Sequence, residues 1–385
     1  MQGVFSAPRI VSGAGAIEAL SGFGAHRPLV VVDPAIAKST GPKRIAEELE
    51  KPDGAVVTTF SDVAIEPTVA DVERGVAAVR SAAPDLIVAV GGGSTIDTAK
   101  ALWVRYVRPE VALESITPLV ELGLRSRAMF VAVPTTSGSG SEATWTAELR
   151  ADDGRPVDVA TRELVPDWAL LDASLAGSAP PAARADAAAD LLGHAIEALG
   201  SEWANAFSDA AGRDALATAL TVLPKLAKRP DDDDARGALH HAATLAGLAA
   251  SNAQVGVAHA LARALGPSTG LSHGRLVGIL LPYATEFNYP SARDRYARLL
   301  GPLGPPLASN RSALAERLRA TLGPLGIPRT LADAGTDRLR ADGGRAAAIA
   351  HAARTPAAIA NPRVPSEDEL GKLLDAAWAG APVTF

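Results

Sequence analysis

The feature that most constrains this chain is an alternation in its first half. Short β-branched runs alternate with stretches of helical spacing. PLVVVD (28–33) precedes GPKRIAEELEK (41–51), and AVVTTF (55–60) precedes PTVADVERGVAAVRSA (67–82). DLIVAVGGGS (85–94) runs straight into TIDTAKALWVRY (95–106), and AMFVAVPTTSGSGSE (128–142) ends in a Gly/Ser-rich loop. Apolar strands alternating with helices predict an α/β fold, a parallel sheet with helices on both faces. Ligands of such sheets sit beyond the C-terminal ends of the strands.

After about residue 180 the pattern changes. From PPAARADAAADLLGHAIEALG onward the chain is rich in Ala and Leu and has no strand-like alternation. This divides the chain into an α/β domain over 1–180 and a helical domain over 181–385. A length of 385 residues is comfortable for two domains. KRPDDDDARG (228–237) reads as a solvated helix–helix connection. GPLGPPLASN (301–310) and LGPLGIPRT (322–330) read as Pro/Gly connectors.

Composition removes several function classes. With 48% hydrophobic and 21% charged residues, the chain can bury a large core. A net charge of −6 argues against a general nucleic-acid binder. The chain contains no cysteine, which excludes disulfides, zinc–thiolate sites, iron–sulfur ligation and cysteine nucleophiles. Any metal must be held by nitrogen and oxygen. The start, MQGVFSAPRIVSG, has no long apolar stretch of the secretion-signal kind, and no apolar run approaches a membrane span. A soluble cytoplasmic protein is the expectation.

Two loops fit a dinucleotide. Gly91, Gly92 and Gly93 leave a strand, and a helix is expected from about Ser94. Glycines let a backbone approach a ligand closely, and a helix N-terminus offers amide donors and a positive dipole end to a pyrophosphate. The spacing is neither GxGxxG nor a Walker loop, and a plain strand–helix junction would use the same residues. PTTSGSGSE (134–142) supplies the hydroxyls of Thr135, Thr136 and Ser139, or forms an ordinary turn. Asp33 ends the first strand. An acid there accepts from an adenosine ribose and repels a 2′-phosphate, favouring NAD over NADP, or it caps the turn at Pro34.

Asp190 and His194 in DLLGH are spaced i,i+4, one turn apart on one helix face. His259 and His273, with a Gly266-Pro267 bend between them, add two imidazoles. Three neutral nitrogens and a carboxylate suit Fe²⁺ or Zn²⁺, and such an ion is a Lewis acid for a carbonyl or alkoxide oxygen. Each histidine taken singly also suits an ordinary hydrogen-bonded position. His240 and His241 are adjacent in a helix, do not share a face, and read as structural.

Together these residues resemble the iron-containing (group III) alcohol dehydrogenase family. The matching strings are GGGSTIDTAK, VPTTSGSGSE, LVPDWALLD, DLLGHAIEA, SNAQVGVAHALARALG, LSHG, LLPYATEFN and ANPRVPSEDEL, in family order. The resemblance implies a dehydroquinate synthase-like architecture, with an N-terminal dinucleotide-binding domain, an all-helical metal-binding domain and a cleft between them. It implies that Asp190, His194, His259 and His273 bind Fe²⁺ or Zn²⁺. It further implies that Gly92, Gly93, Ser94, Thr95, Asp97, Thr135, Thr136 and Ser139 contact the dinucleotide, that Asp33 goes with NAD over NADP, and that the protein is a homodimer.

Three positions depart from the family pattern. Arg263 stands one turn after His259, where members often have a histidine placed to move a proton. Arginine does not release its proton at usable pH. Pro156, beside Arg155, stands where many members have a lysine. Ala188 replaces a usual glycine. The expected reaction is hydride transfer between NAD(H) and a small aldehyde or primary alcohol. Arg263 suits an anionic aldehyde, and EALGSEWANAFSDA (197–210) resembles phosphonoacetaldehyde reductases of the family. A dehydroquinate synthase-like lyase or cyclase, and a non-catalytic nucleotide-binding relic, are the competing expectations.

Overall fold

The computed structural model describes residues 4–177, 179–301, 309–336 and 344–385. The first three residues and most of the GPLGPPLASN connector lie outside these. The chain divides into two compact units. One holds Ser6–Thr136 and the described part of Gly140–Ala179. The other holds the described part of Pro180–Phe385 together with Ser137–Ser139.

The first unit contains β1 (Arg9–Ser12), β2 (Pro28–Val32), α1 (Thr40–Glu50), β3 (Thr58–Phe60), α2 (Val69–Ala82), β4 (Leu86–Gly91) and α3 (Gly93–Val107). It continues with β5 (Met129–Pro134), β6 (Thr146–Arg150), β7 (Pro156–Ala160) and β8 (Trp168–Leu171). Six strands form one sheet in the order β1-β8-β5-β4-β2-β3, every pair parallel. Alternate residues of β2 serve opposite faces. Leu29 and Val31 pack with Val72, Val76 and Leu102, whereas Val30 and Val32 pack with Ile17, Leu20, Ile45 and Leu49. Both faces are therefore covered, as the continuous apolar runs require. β3 lies on one side of β2 and β4 on the other, so the strand order reverses there. The connections after β2 and β4 diverge at that point, where open sheets of this kind bind ligands.

The β6–β7 hairpin, β1 and β8 were not among the expected strands. β1 and β8 have four residues each, too few for a period to register, and β1 is largely exposed at the sheet edge. The hairpin is fixed by a polar anchor instead. The fully buried Lys100 on α3 donates to the carbonyl oxygens of Thr144 and Thr146 at 2.8 and 2.9 Å. Asp97, one turn earlier, accepts from the Glu148 amide at 3.0 Å. Burial pushes Lys100 down to about 8 and Asp97 up to about 7. These contacts satisfy charges that desolvation would otherwise make very costly.

The second unit contains α4 (Pro181–Gly200), α5 (Ala206–Lys228), α6 (Asp233–Ala253), α7 (Val257–Thr269) and α8 (His273–Leu300). α9 (Ala313–Leu322), α10 (Gly344–Ala352), α11 (Pro356–Ala360) and α12 (Glu367–Ala379) complete it. α4 packs against α5, α6 and α8. Its alanines, among them Ala185, Ala188, Ala189 and Ala195, are buried and allow these neighbours to come close. The acidic run after α5 is shorter as a loop than expected: the Asp232 side chain caps α6 by accepting from Ala235, and Asp233 and Asp234 fall in the first helical turn. Acidic groups are favoured there by the helix dipole. The expected bend at Gly266-Pro267 is corrected too. α7 runs through Pro267 and stops at Gly270, whose φ of +67° closes the helix by a bond from its amide to Gly266. Proline near a C-terminus forfeits one bond only, whereas the left-handed cap ends the helix outright. No helix among the described residues is long and apolar enough to cross a membrane.

Candidate metal centre

α4 presents Asp190 and His194 on one face, the Asp190 Oδ1 lying 3.9 Å from His194 Nδ1. α7 brings His259 and α8 brings His273 to the same carboxylate oxygen, their Nε2 atoms standing 3.3 and 3.5 Å away. Asp190, His259 and His273 each offer a ligand atom within 4.8 Å of the others. His194 lies at the edge of this cluster, its ring stacked on that of His259 with centroids 4.6 Å apart. Gly193 makes the approach possible. A Cβ there would stand 2.8 Å from the His259 ring and 2.4 Å from Val277.

The residues fit a divalent ion. The buried Asp190 Oδ1 and His259 Nε2 face one another without completing a hydrogen bond. Burial alone would push His259 below its ordinary 6.5, but the carboxylates of Asp190 and Glu197 outweigh it and hold the ring at about 10. Asp190 is also buried, yet the three imidazoles hold its carboxyl well below the usual range. In the metal-free protein both carboxylates thus favour the protonated form of the His259 ring.

This has a measurable consequence. A histidine raised from 6.5 to about 10 stabilises the fold fully below 6.5 and loses that contribution as pH rises through about 10. The unfolding free energy of chelator-treated protein is expected to fall between about pH 7 and about pH 9. Metal uptake in that window displaces the proton, so affinity tightens with rising pH. Urea titrations of the metal-free protein at the two pH values measure the first effect. A flat response there would remove the imidazolium from the account.

Glu197 lies outside the set expected from sequence. It is buried two turns after Asp190 and binds the start of α7. Its carboxylate accepts from the amides of Gly256 (2.8 Å), Ala258 (2.6 Å) and His259 (3.3 Å), and meets His259 Nδ1 at 2.5 Å. Asn361, from the Asn-Pro-Arg segment, takes the Val257 amide at 3.2 Å. The orphan amides of a buried helix start are so satisfied, and one carboxylate fixes both the backbone and the ring of His259. The string DLLGHAIEA contains this glutamate, and only the i+3 spacing from His194 could have drawn notice to it. Arg263 is half-buried one turn further along α7.

The α/β unit carries the other expected residues except Ser139. Asp33 follows β2, its amide bonded to the Val90 carbonyl at 3.0 Å, while its Oδ1 closes a turn onto Ala35 at 2.8 Å. Gly92 caps α3 with no side-chain cap, and Gly93 and Ser94 are partly exposed beside it. Thr136 packs against Gly92, since a Cβ there would lie 3.2 Å from it, and the Thr135 amide bonds to Gly91 at 3.0 Å. Thr95 and Asp97 are buried, and Asp97 is turned toward Glu148. Ser139 belongs to the helical unit, as does Ser137, whose hydroxyl meets the buried His240 ring at 3.0 Å. Pro156 begins β7 opposite Arg150, and Arg155 pairs with Asp153 at the surface.

The chain thus contains a helical unit with a histidine–carboxylate cluster and a parallel-sheet unit with a glycine turn at its switch point. The family model for iron-containing alcohol dehydrogenase matches residues 7–173, and that for the C-terminal region of the Fe-containing alcohol dehydrogenase family matches residues 184–378. The chain belongs to the iron-containing alcohol dehydrogenase family. It is 33% identical to 1-propanol dehydrogenase PduQ of Citrobacter freundii, over 95% of this chain and 97% of that one. It is 30% identical to an aldehyde-alcohol dehydrogenase of Streptococcus pneumoniae over 92% of its own length, and spans 43% of that longer protein. Among solved structures, the iron-containing alcohol dehydrogenase of Thermococcus thioreducens superposes with a TM-score of 0.88 at 30% identity, covering 98% of this chain and 100% of that one.

Proposed function

We propose that this chain is an oxidoreductase that moves hydride between NAD(H) and a small aldehyde or primary alcohol at a metal centre. The observation that supports the reading is the convergence of His259 and His273, from two helices, on the carboxylate oxygen of Asp190 on a third. Asp190, His194, His259 and His273 would hold Fe²⁺ or Zn²⁺, both of which accept such ligands. A bound ion supplies Lewis acidity to a carbonyl or alkoxide oxygen, and NAD(H) supplies or accepts the hydride. Gly92, Gly93 and Ser94 at the start of α3 would seat the pyrophosphate, with Thr135, Thr136 and Ser139 giving hydroxyls. Thr95 and Asp97 would support that loop from within, and Asp33 would favour NAD over NADP. The chain's relatives include a 1-propanol dehydrogenase, which supports a small alcohol as substrate. A cytoplasmic homodimer is part of the same proposal.

Metal analysis of anaerobically purified protein, followed by an aldehyde panel with NADH and NADPH, tests the reading. About one ion per chain and net NADH consumption are expected. Metal and NAD binding with the nicotinamide returning unchanged would instead favour the lyase or cyclase chemistry of dehydroquinate synthase-like enzymes.

Arg263 is the substrate-selecting residue of this proposal. A half-buried guanidinium one turn from His259 suits the anionic tail of an aldehyde such as phosphonoacetaldehyde. Charge-assisted bonds are worth about 1.5–3 kcal/mol. Arg263→Ala is therefore expected to lower kcat/KM for anionic aldehydes about 10- to 100-fold, with neutral ones little changed. An equal effect on both kinds would end the idea.

A further inference from the structure

His273 opens α8, and it is bracketed by residues fixed to a single carboxylate. Asp186 lies on α4, one turn ahead of Asp190. Its Oδ2 accepts from the Ser272 hydroxyl at 2.5 Å. Its Oδ1 accepts from Arg275 Nε at 3.0 Å and pairs with Arg275 Nη2 at 2.9 Å. Between these two anchors, Gly274 rests on the Asp186 backbone, where an added Cβ would stand 2.2 Å from the Asp186 carbonyl oxygen.

Ser272 is the N-cap residue of α8, yet its side chain does not cap that helix. Serine at this position ordinarily turns its oxygen onto the first helical amides. Here the hydroxyl donates to Asp186 instead, so the chain forgoes a cap to tie α8 to α4. Arg275 supplies the opposite charge, so the part-buried carboxylate is neutralised where it sits. The residue held between the two ties is His273, whose Nε2 stands 3.5 Å from Asp190 Oδ1.

We propose that Asp186 is a positioning residue, which through Ser272 and Arg275 sets the place of His273 in the centre. Asp186 is not one of the four proposed ligands; its side chain acts on the backbone on either side of one of them. α4 thereby organises the site at two points: Asp186 places the helix bearing His273, and Glu197 places the helix bearing His259. The inference rests on the reading of the Asp190 cluster as a metal site, and its experiment separates the two.

Full-length Asp186→Ala, Ser272→Ala with Arg275→Gln, and His259→Ala are each loaded with Co²⁺. The visible d–d absorption and the Co²⁺ affinity, by competition with a chelator, are recorded. Unfolding of the metal-free forms in urea measures stability separately. The expected result is a wild-type spectrum that shifts in Asp186→Ala, with affinity lowered about 10- to 100-fold, the range for residues that orient metal ligands. The Ser272/Arg275 double variant is expected to reproduce the shift, and it decides the matter if Asp186→Ala does not fold. A wild-type spectrum and affinity in these variants, with Co²⁺ lost from His259→Ala, overturns the positioning role alone. Equal Co²⁺ binding by wild type and His259→Ala overturns the metal reading and the positioning role with it.

Discussion

His259→Ala is expected to purify as a folded protein that holds almost no metal and has lost about 10³-fold or more in kcat/KM. The ring is buried between Asp190 and Glu197 and carries the Nε2 that faces the Asp190 oxygen. Removing it deletes a donor from a centre that the chain, without cysteine, cannot rebuild from other soft ligands. A Lewis acid contributes several kcal/mol to stabilising a developing alkoxide, and about 4 kcal/mol is a factor of about 10³. The same change leaves two buried carboxylates without their imidazolium in the metal-free protein, at a cost of about 3 kcal/mol or more. A domain with 5–15 kcal/mol of stability, as is usual, survives that loss. Metal analysis, circular dichroism and steady-state rates measure the three parts. Retained metal stoichiometry would sink the ligand assignment.

Glu197→Ala is expected to cost about 3–5 kcal/mol of stability in the metal-free protein. The carboxylate accepts three backbone amides at the start of α7 and meets the His259 ring. Alanine leaves those amides buried and unbonded, and each such group carries a desolvation penalty of about 1–3 kcal/mol, part of which local relaxation recovers. Metal affinity should also fall about 10- to 100-fold, because the Nδ1 partner that fixes the ring is gone. Glu197→Gln separates the two roles. It keeps one acceptor for the amides but presents an NH₂ group where an oxygen is needed, so it should recover part of the stability and less of the affinity. A Glu197→Ala protein that unfolds at the wild-type urea concentration would show that the helix start finds other partners.

The difference between His194 and Glu197 shows where sequence reading stops. Asp190 and His194 were legible together because an i,i+4 spacing is a property of one helix. Glu197 lies on that helix too, but its meaning comes from Gly256 and Ala258, about sixty residues away, which no local period records. Asp186 is the same case, since Ser272 and Arg275 reach it across 86 and 89 residues. Pro267 shows the opposite failure: a local breaker was read as a bend, while Gly270 and packing set the true end of α7. β1 and β8 escaped notice because four residues give no period, and their pairing with each other spans most of the α/β unit.

The sequence by itself determined the α/β alternation, the change to helices near residue 180, the glycine turn after β4, and the nitrogen and oxygen character of any metal site. Each of these is written in composition or in spacing within a single element, where backbone geometry alone converts order into position. The tertiary structure alone decided that α7 and α8 converge on Asp190 of α4, that Glu197 bonds to the start of the helix of His259, and that Asp186 bonds to the start of the helix of His273. Those relations depend on which faces are buried against one another. Burial is a property of the packed chain, and it also decides which carboxylates remain charged and what they hold in place.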